Sequence, residues 1–508
     1  MSHFVLAPLP AWGHVRPLTQ LALRLLDFNE KIVVTIFIGP NLLAKTRAEI
    51  SANTTIPLEH NSRIRILTTI DSTEQDVFKL LGSLVGSYPE AYKTLHEAKE
   101  ITCATTGMTY NAVKAPVAVL LDFFLGPMLF ATRAIAGESV RIFTWATGAP
   151  AAITRIWGPE HLGGLGDFEA KVEEEARRTG TVAADIGDMI YRRTSGAIVK
   201  LPGLPAVYDY ELFPQELASP PSMYQLLLSG HTVFKNCDGV VMSSSYVLEG
   251  KALEGMKKWW AEDGKEVYGI GPLLPRTYWD TLPTDEGATD VRNFLEEMLG
   301  KYGKQSVILV SFGSFFWPPV QEYVEELIIG LIDKKFPFIF CHASPFAIIP
   351  PALSNIINSS GLGILSSWVP QQYVLNHPAT GWFLTHGGQG SVTESLGSGI
   401  PLICWPIEAD QPIASLQAAQ SLRVAFELVE VRNGQGLGPI HRLGGRKPEG
   451  TRAAVGREIR EVIDAARGEV GQEMRRKAEA IKAQMQKSWD EEGVAAKELA
   501  AFVEKLVL

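Results

Sequence analysis

Short runs of Val, Ile and Leu alternate with helical patterns along the whole chain, and this alternation restricts the possible folds more than any other feature. HFVLAP, KIVVTIFIG and PVAVLLDFF read as buried strands, and LTQLALRLLDF between the first two has helical periodicity. Strands separated by helices imply a parallel sheet covered on both faces. DGVVMSSSY continues the series, and VYGIGPLL ends it at Gly271-Pro272. The polar, turn-rich RTYWDTLPTDEGATD then makes 273–290 the expected linker. Beyond it the grammar restarts in SVILVSFGS, PFIFCH, GLGILSSW, TGWFLTHGG and IPLICWP, with VQEYVEELIIGLIDK helical among them. The expectation is an α/β chain of two doubly wound domains, with ligands at the carboxyl ends of strands and in the cleft between lobes. At 508 residues the chain exceeds one hydrophobic core, and its 46 % hydrophobic content fills two.

A formal net charge of -9, without a Lys/Arg block, argues against nucleic acid as a partner. Cys103, Cys237, Cys341 and Cys404 lack metal-ligand spacing and read as buried thiols of a reducing compartment. The opening MSHFVLAPLPAWGHVRP is unlike a secretory signal, and Asp122 and Arg133 interrupt the most hydrophobic region, so no membrane span and a cytoplasmic location are expected. Residues 151–230 look less regular, loop around LPGLPAV and ELASPPSM, and suit either a pocket lining or a surface excursion. VRNGQGLGPIHRLGGRKPEG reads as a long flexible loop, followed by helices with alternating, solvated charges.

The densest chemical signal is FLTHGGQGSVTESLGSGIP, Phe383 to Pro401. GWFLT reads as a strand and SVTESLGSG as a short helix, so HGGQG sits at the junction. Glycines there allow a ligand close to the backbone, and free N–H groups at the helix start favour a phosphate. Without a ligand the same pattern is a plain strand-to-helix turn, with His386 capping and Glu394 solvated.

The longer segment WVPQQYVLNHPATGWFLTHGGQGSVTESLGSGIPLICWPIEADQ, Trp368 to Gln411, resembles the signature of the UDP-dependent glycosyltransferases of the GT-B fold. The resemblance implies two Rossmann-like domains facing a cleft: an acceptor domain at 1–272, a UDP-sugar domain at 291–480, and a C-terminal helix at 481–508 that braces the first. It also implies roles. Trp368 corresponds to the ring that stacks on uracil, Gln371 to a base or ribose contact, and Glu394 to the carboxylate on the ribose hydroxyls. His386 and Ser391 correspond to pyrophosphate contacts, with Gly388 and Gly390 shaping the turn. Asp410 and Gln411 match the pair that holds the donor sugar, and a carboxylate beside an amide suits a neutral polyol. VSFGS is similar to the first loop of the second domain, where Ser314 would touch phosphate. The chain departs from the plant form at Gln389 and Gly390, where Trp and Asn are common. Similarity is strong over 236–411, patchy in the first domain and weak over 151–230.

On the acceptor side, PAWGHVRP places His14 in a loop after HFVLAP, at a strand's carboxyl end. By its residues alone it is either a catalytic group or a cap for a helix beginning near Pro17. The resemblance of GHVRPL to the family's first loop makes it the general base, and matches Asp122, at the end of PVAVLLDFF, to its orienting carboxylate. The implied reaction is a single displacement: an acceptor hydroxyl attacks C1 of the sugar opposite UDP, and configuration inverts. UDP-sugar is then donor substrate rather than cofactor, no metal is called for, and a monomer is expected. Phe123, Phe124, Trp145, Trp157 and Tyr224 suit a lipophilic or aromatic acceptor, or equally an ordinary core. Rival readings are a UDP-sugar epimerase or hydrolase of the same fold and a non-catalytic nucleotide-sugar-binding protein. A dehydrogenase is disfavoured, because GHVRPL stands where GxGxxG is expected.

Overall fold

The computed structural model describes residues 1–54, 61–217, 222–279 and 289–507. Positions 280–288 of the expected linker and 218–221 of the ELASPPSM loop lie outside the described residues. Among the described residues, seven strands form the first sheet. Edge to edge they are Glu266–Gly269, Gly239–Met242, Arg141–Ala146, Pro116–Asp122, Ser2–Ala7, Ile32–Phe37 and Ile64–Leu67, every pair parallel. The second sheet runs Gly363–Ser366, Phe338–Cys341, Val307–Ser311, Thr380–Thr385, Leu402–Cys404 and Ala425–Glu427, again parallel throughout.

Burial on both faces explains the unbroken apolar runs. Val5, Val119 and Leu121 point into one core of the first domain, while Phe4, Leu6 and Leu120 alternate into the core on the other face. Leu309 and Phe383, against Ile308, Val310, Trp382 and Leu384, repeat the arrangement in the second. In each sheet the strand order reverses beside the first strand. That point falls between Ser2–Ala7 and Pro116–Asp122 in one sheet and between Val307–Ser311 and Thr380–Thr385 in the other. Diverging connections open a crevice there, above the carboxyl ends.

Within the two large sheets, among the described residues, three strands escape the hydrophobic pattern: Ile64–Leu67, Arg141–Ala146 and Ala425–Glu427. Each carries a charge, and Arg65 is buried against the Tyr110 ring. Within 151–230 the helices Pro150–Trp157, Phe168–Thr179, Ala183–Arg192 and Tyr224–Asn236 alternate with loops, among them 201–206 of LPGLPAV and 213–217 leading into ELASPPSM.

The segment read as a flexible loop after Leu428 is pinned in place. Arg432 Nη2 donates to Glu427 at 2.9 Å, and Arg442 pairs with Glu427 and with Glu211 of the first lobe, each at 2.6 Å. Tyr210 donates its hydroxyl to Pro439 O at 2.7 Å. The side chains of these four charged residues are at most 7 % exposed, and buried charges persist only when paired and hydrogen-bonded. Nothing local in a Gly-rich stretch reveals a partner more than 200 residues away.

Helix Arg452–Arg467 packs on Gln321–Asp333, where Arg452 and Arg460 both reach Glu326. Helix Val494–Glu504 returns to the first domain: Phe502 is buried among the rings of Phe4, Phe143 and Tyr268, and Glu498 accepts from Gly269 N and Lys257 Nζ. The four cysteines are free and buried. Among the described residues no helix is long and apolar enough to cross a membrane.

Candidate active site

The first-domain crevice contains His14. Helix Trp12–Phe28 starts earlier than expected, because His14 N and Val15 N both donate to Ala11 O. His14 therefore lies in the first helical turn and not in a preceding loop, and Pro17 is inside the helix. The imidazole Nδ1 stands 2.7 Å from Asp122 Oδ2 and 3.3 Å from Thr147 Oγ1. Trp145 Nε1 donates to His14 O at 3.2 Å. Asp122 is fully buried and also accepts from Leu9 N at 3.1 Å and Phe124 N at 3.2 Å. A carboxylate only accepts, so Nδ1 carries the proton and Nε2 is the basic nitrogen. Burial alone would lower the His14 pKa, but the adjacent Asp122 charge outweighs it and holds the group above its usual value.

The second-domain crevice is the glycine turn. Strand Thr380–Thr385 leads through it into helix Gln389–Gly397. Gly387 has φ +86°, and a Cβ there would lie 2.5 Å from Ser415 Oγ, so only glycine fits. Gly388 caps the helix without a side chain, which leaves the first-turn amides, Ser391 among them, open to a ligand. Gly390 borders open space. His386 faces Gly313 of the loop after Val307–Ser311, where an added Cβ would come within 2.8 Å of its ring, and the exposed Ser314 follows. Desolvation lowers the His386 pKa to about 4, so at neutral pH the ring is an uncharged N–H donor.

Trp368 is 46 % exposed beside the short helix Gln371–Asn376. From that helix Gln371 Nε2 donates to Glu394 Oε2 at 2.7 Å, and Gln372 Nε2 to Glu394 Oε1 at 3.1 Å. Glu394 also receives Arg16 Nη1 at 2.7 Å from the first lobe. Arg16, Gln372 and Glu249 were all missed by sequence reasoning, although Arg16 lies within the GHVRPL segment. Asp410 has its pKa raised by burial, partly offset by the backbone N–H groups of Asp410 and Gln389 and by the charge of His14. Gln411 is buried, and its amide oxygen accepts from Ile407 N at 3.0 Å and Glu408 N at 3.3 Å, which leaves its NH2 for a sugar.

The lobes meet around this cluster. Glu249, buried on the first lobe, accepts from Ser244 Oγ at 2.6 Å and from Gln389 Nε2 across the cleft at 2.8 Å. Burial raises its pKa to about 7. The rings of Phe123 and Phe124 each stand 5.9 Å from His14, and Trp157 packs on Phe123 at 5.3 Å. Phe124 is part-exposed, whereas Trp145 is fully buried and belongs to the core. Tyr224 packs against Phe168, away from His14.

A family model for UDP-glucoronosyl and UDP-glucosyl transferases matches residues 274–430, the stretch that carries the glycine turn. UDP-glycosyltransferase eriJ of Hericium erinaceus is 29 % identical over 518 residues, covering 97 % of this chain and 96 % of its own. Among solved structures, a Medicago truncatula UGT complexed with UDP-glucose aligns with a TM-score of 0.71 at 16 % identity, covering 99 % of this chain and 98 % of that one. Phytolacca americana UGT2, complexed with UDP-2fluoro-glucose and pterostilbene, aligns over the whole of both chains with a TM-score of 0.68 at 20 % identity. At such identities the structural likeness is one of fold.

Proposed function

We propose that this chain, whose fold is GT-B, is a UDP-glycosyltransferase that carries out inverting transfer of a hexose, glucose by preference, to a hydroxyl of a small lipophilic or aromatic acceptor. UDP-sugar is the donor substrate, and small molecules are the acceptors. The observation that carries the finer reading is the His14–Asp122 pair, 2.7 Å apart at the switch point of the first sheet, with the charges of His14 and Asp410 close enough to interact across the cleft.

In this reading residues 1–272 bind the acceptor against Phe123 and Phe124, and residues 291–480 bind the nucleotide sugar. Trp368 stacks on the base, Glu394 and Gln371 hold the ribose, and His386, Ser314 and the open amides at Gly388, Gly390 and Ser391 hold the diphosphate. Asp410 and the free NH2 of Gln411 orient the sugar hydroxyls. His14 Nε2 takes the proton of the acceptor hydroxyl as its oxygen bonds to C1. The bond from C1 to the diphosphate breaks, and its electron pair leaves with UDP. Asp122 stabilises the imidazolium so formed, and the turn amides stabilise the leaving diphosphate. One chain supplies every group, so the catalytic unit is a monomer.

The test is UDP release from several UDP-sugars, each with and without a pool of phenols and alcohols, with products weighed by mass spectrometry. Acceptor-dependent release with an added hexose mass supports the reading and identifies the donor. Release that needs no acceptor turns it to hydrolysis or epimerisation.

A further inference from the structure

Arg16 stands two residues beyond His14 on the same helix and reaches the opposite lobe. Its Nη1 donates to Glu394 Oε1 at 2.7 Å, and its Nε donates to Glu49 Oε1 at 3.1 Å. Gln20 Nε2 donates to that same Glu49 oxygen at 2.7 Å, so Arg16 is gripped from behind by its own lobe. The Trp12 ring lies 5.7 Å from the guanidinium carbon. The Arg16 and Glu394 side chains are only 21 % and 12 % exposed, so water screens this pair far less than an ordinary surface ion pair. On the other side Glu394 takes Gln371 and Gln372, and the Tyr278 hydroxyl donates to its backbone oxygen at 2.6 Å. The carboxylate is thus held by three side-chain donors, one of which belongs to the helix that carries the base.

We propose that Arg16 is a donor-positioning residue, which by pairing with Glu394 across the cleft orients the ribose carboxylate and makes closure of the His14 helix over the nucleotide part of donor binding. The proposal rests on Glu394 being the ribose contact. A carboxylate offers about four acceptor sites, so a site remains for ribose beside the three donors. The pair forms only when the lobes are close, so nucleotide binding at Glu394 and approach of the first lobe favour each other.

The test is calorimetric titration of the full chain with UDP, using wild type, Arg16→Met, Glu394→Gln and the double variant. Each single substitution is expected to weaken UDP by about tenfold, and the double variant no more than the worse single, because either change removes the same interaction. An Arg16→Met variant that melts at a lower temperature but binds UDP as wild type does would mark a structural staple and overturn the proposal. Additive losses would overturn it as well. Unchanged UDP affinity in Glu394→Gln would instead remove Glu394 from the ribose site, and the proposal with it. Should Arg16→Met not fold, Arg16→Lys keeps the charge but loses the second arm to Glu49; a loss of about threefold supports the proposal and unchanged binding overturns it.

Discussion

His14 Nδ1 lies 2.7 Å from Asp122 Oδ2, a hydrogen bond that ties the first turn of helix Trp12–Phe28 to the carboxyl end of strand Pro116–Asp122 between residues 108 apart. Because Asp122 is buried and already accepts from Leu9 N and Phe124 N, it is a fixed acceptor. It sets the imidazole tautomer and points Nε2 away from itself.

The raised His14 pKa fixes the sign of the pH dependence. A base is active when neutral, so kcat/KM should rise with pH through a midpoint above about 6.5. Asp122→Asn removes the charge that raises it, which should move the midpoint down and lower kcat by roughly a hundred- to ten-thousand-fold. pH–rate profiles of both proteins check this; an unmoved midpoint would detach Asp122 from the base.

His386 is held neutral by burial, so its contribution to the diphosphate is a hydrogen bond. His386→Ala should weaken UDP by about tenfold and leave uridine binding nearly unchanged. Parallel titrations with UDP and uridine distinguish the two; equal losses would assign the ring to the fold of the turn.

Phe124 is the part-exposed ring beside His14. Phe124→Ala should raise the acceptor KM by about tenfold, corresponding to ~1–2 kcal/mol of lost apolar contact, without altering the donor KM. Steady-state kinetics with each substrate varied in turn decide it. A rise in donor KM alone would place Phe124 outside the acceptor site.

Glu249 titrates in the folded protein at about 7 against 4.5 for an unperturbed Glu. The folded state therefore binds more protons between those values, so the stability from this group is complete below 4.5 and is lost as pH rises through 7. Glu249→Gln keeps an acceptor for Ser244 and Gln389 and removes the ionisation. Its melting temperature should match wild type at pH 5 and exceed it by a few degrees at pH 8. Comparison with wild type at each pH cancels His3, whose pKa near 4, lowered by burial, makes stability rise with pH between 4 and 6.5. Equal melting temperatures at pH 8 would show that Glu249 does not ionise unfavourably.

Much of this was legible locally. Apolar runs such as KIVVTIFIG exposed the strands because parallel sheets are buried on both faces, whereas Ile64–Leu67 hid behind Arg65, whose partner ring is set by tertiary packing. His14 was visible by its place after a strand, but the start of its helix was not. Pro17 looked like the first helical residue, while the backbone at Ala11 begins the helix a turn sooner.

By itself the sequence determined the two parallel-sheet domains and the strand-to-helix turns that hold His14 and His386, because periodicity and glycine placement act over a few residues. Only the tertiary structure decided what meets across the cleft. Arg16 with Glu394, Glu249 with Gln389 and Arg442 with Glu211 are pairs separated by well over a hundred residues. No local pattern encodes them. They form because charged and polar groups that folding takes out of water must find partners wherever the packed lobes bring them together.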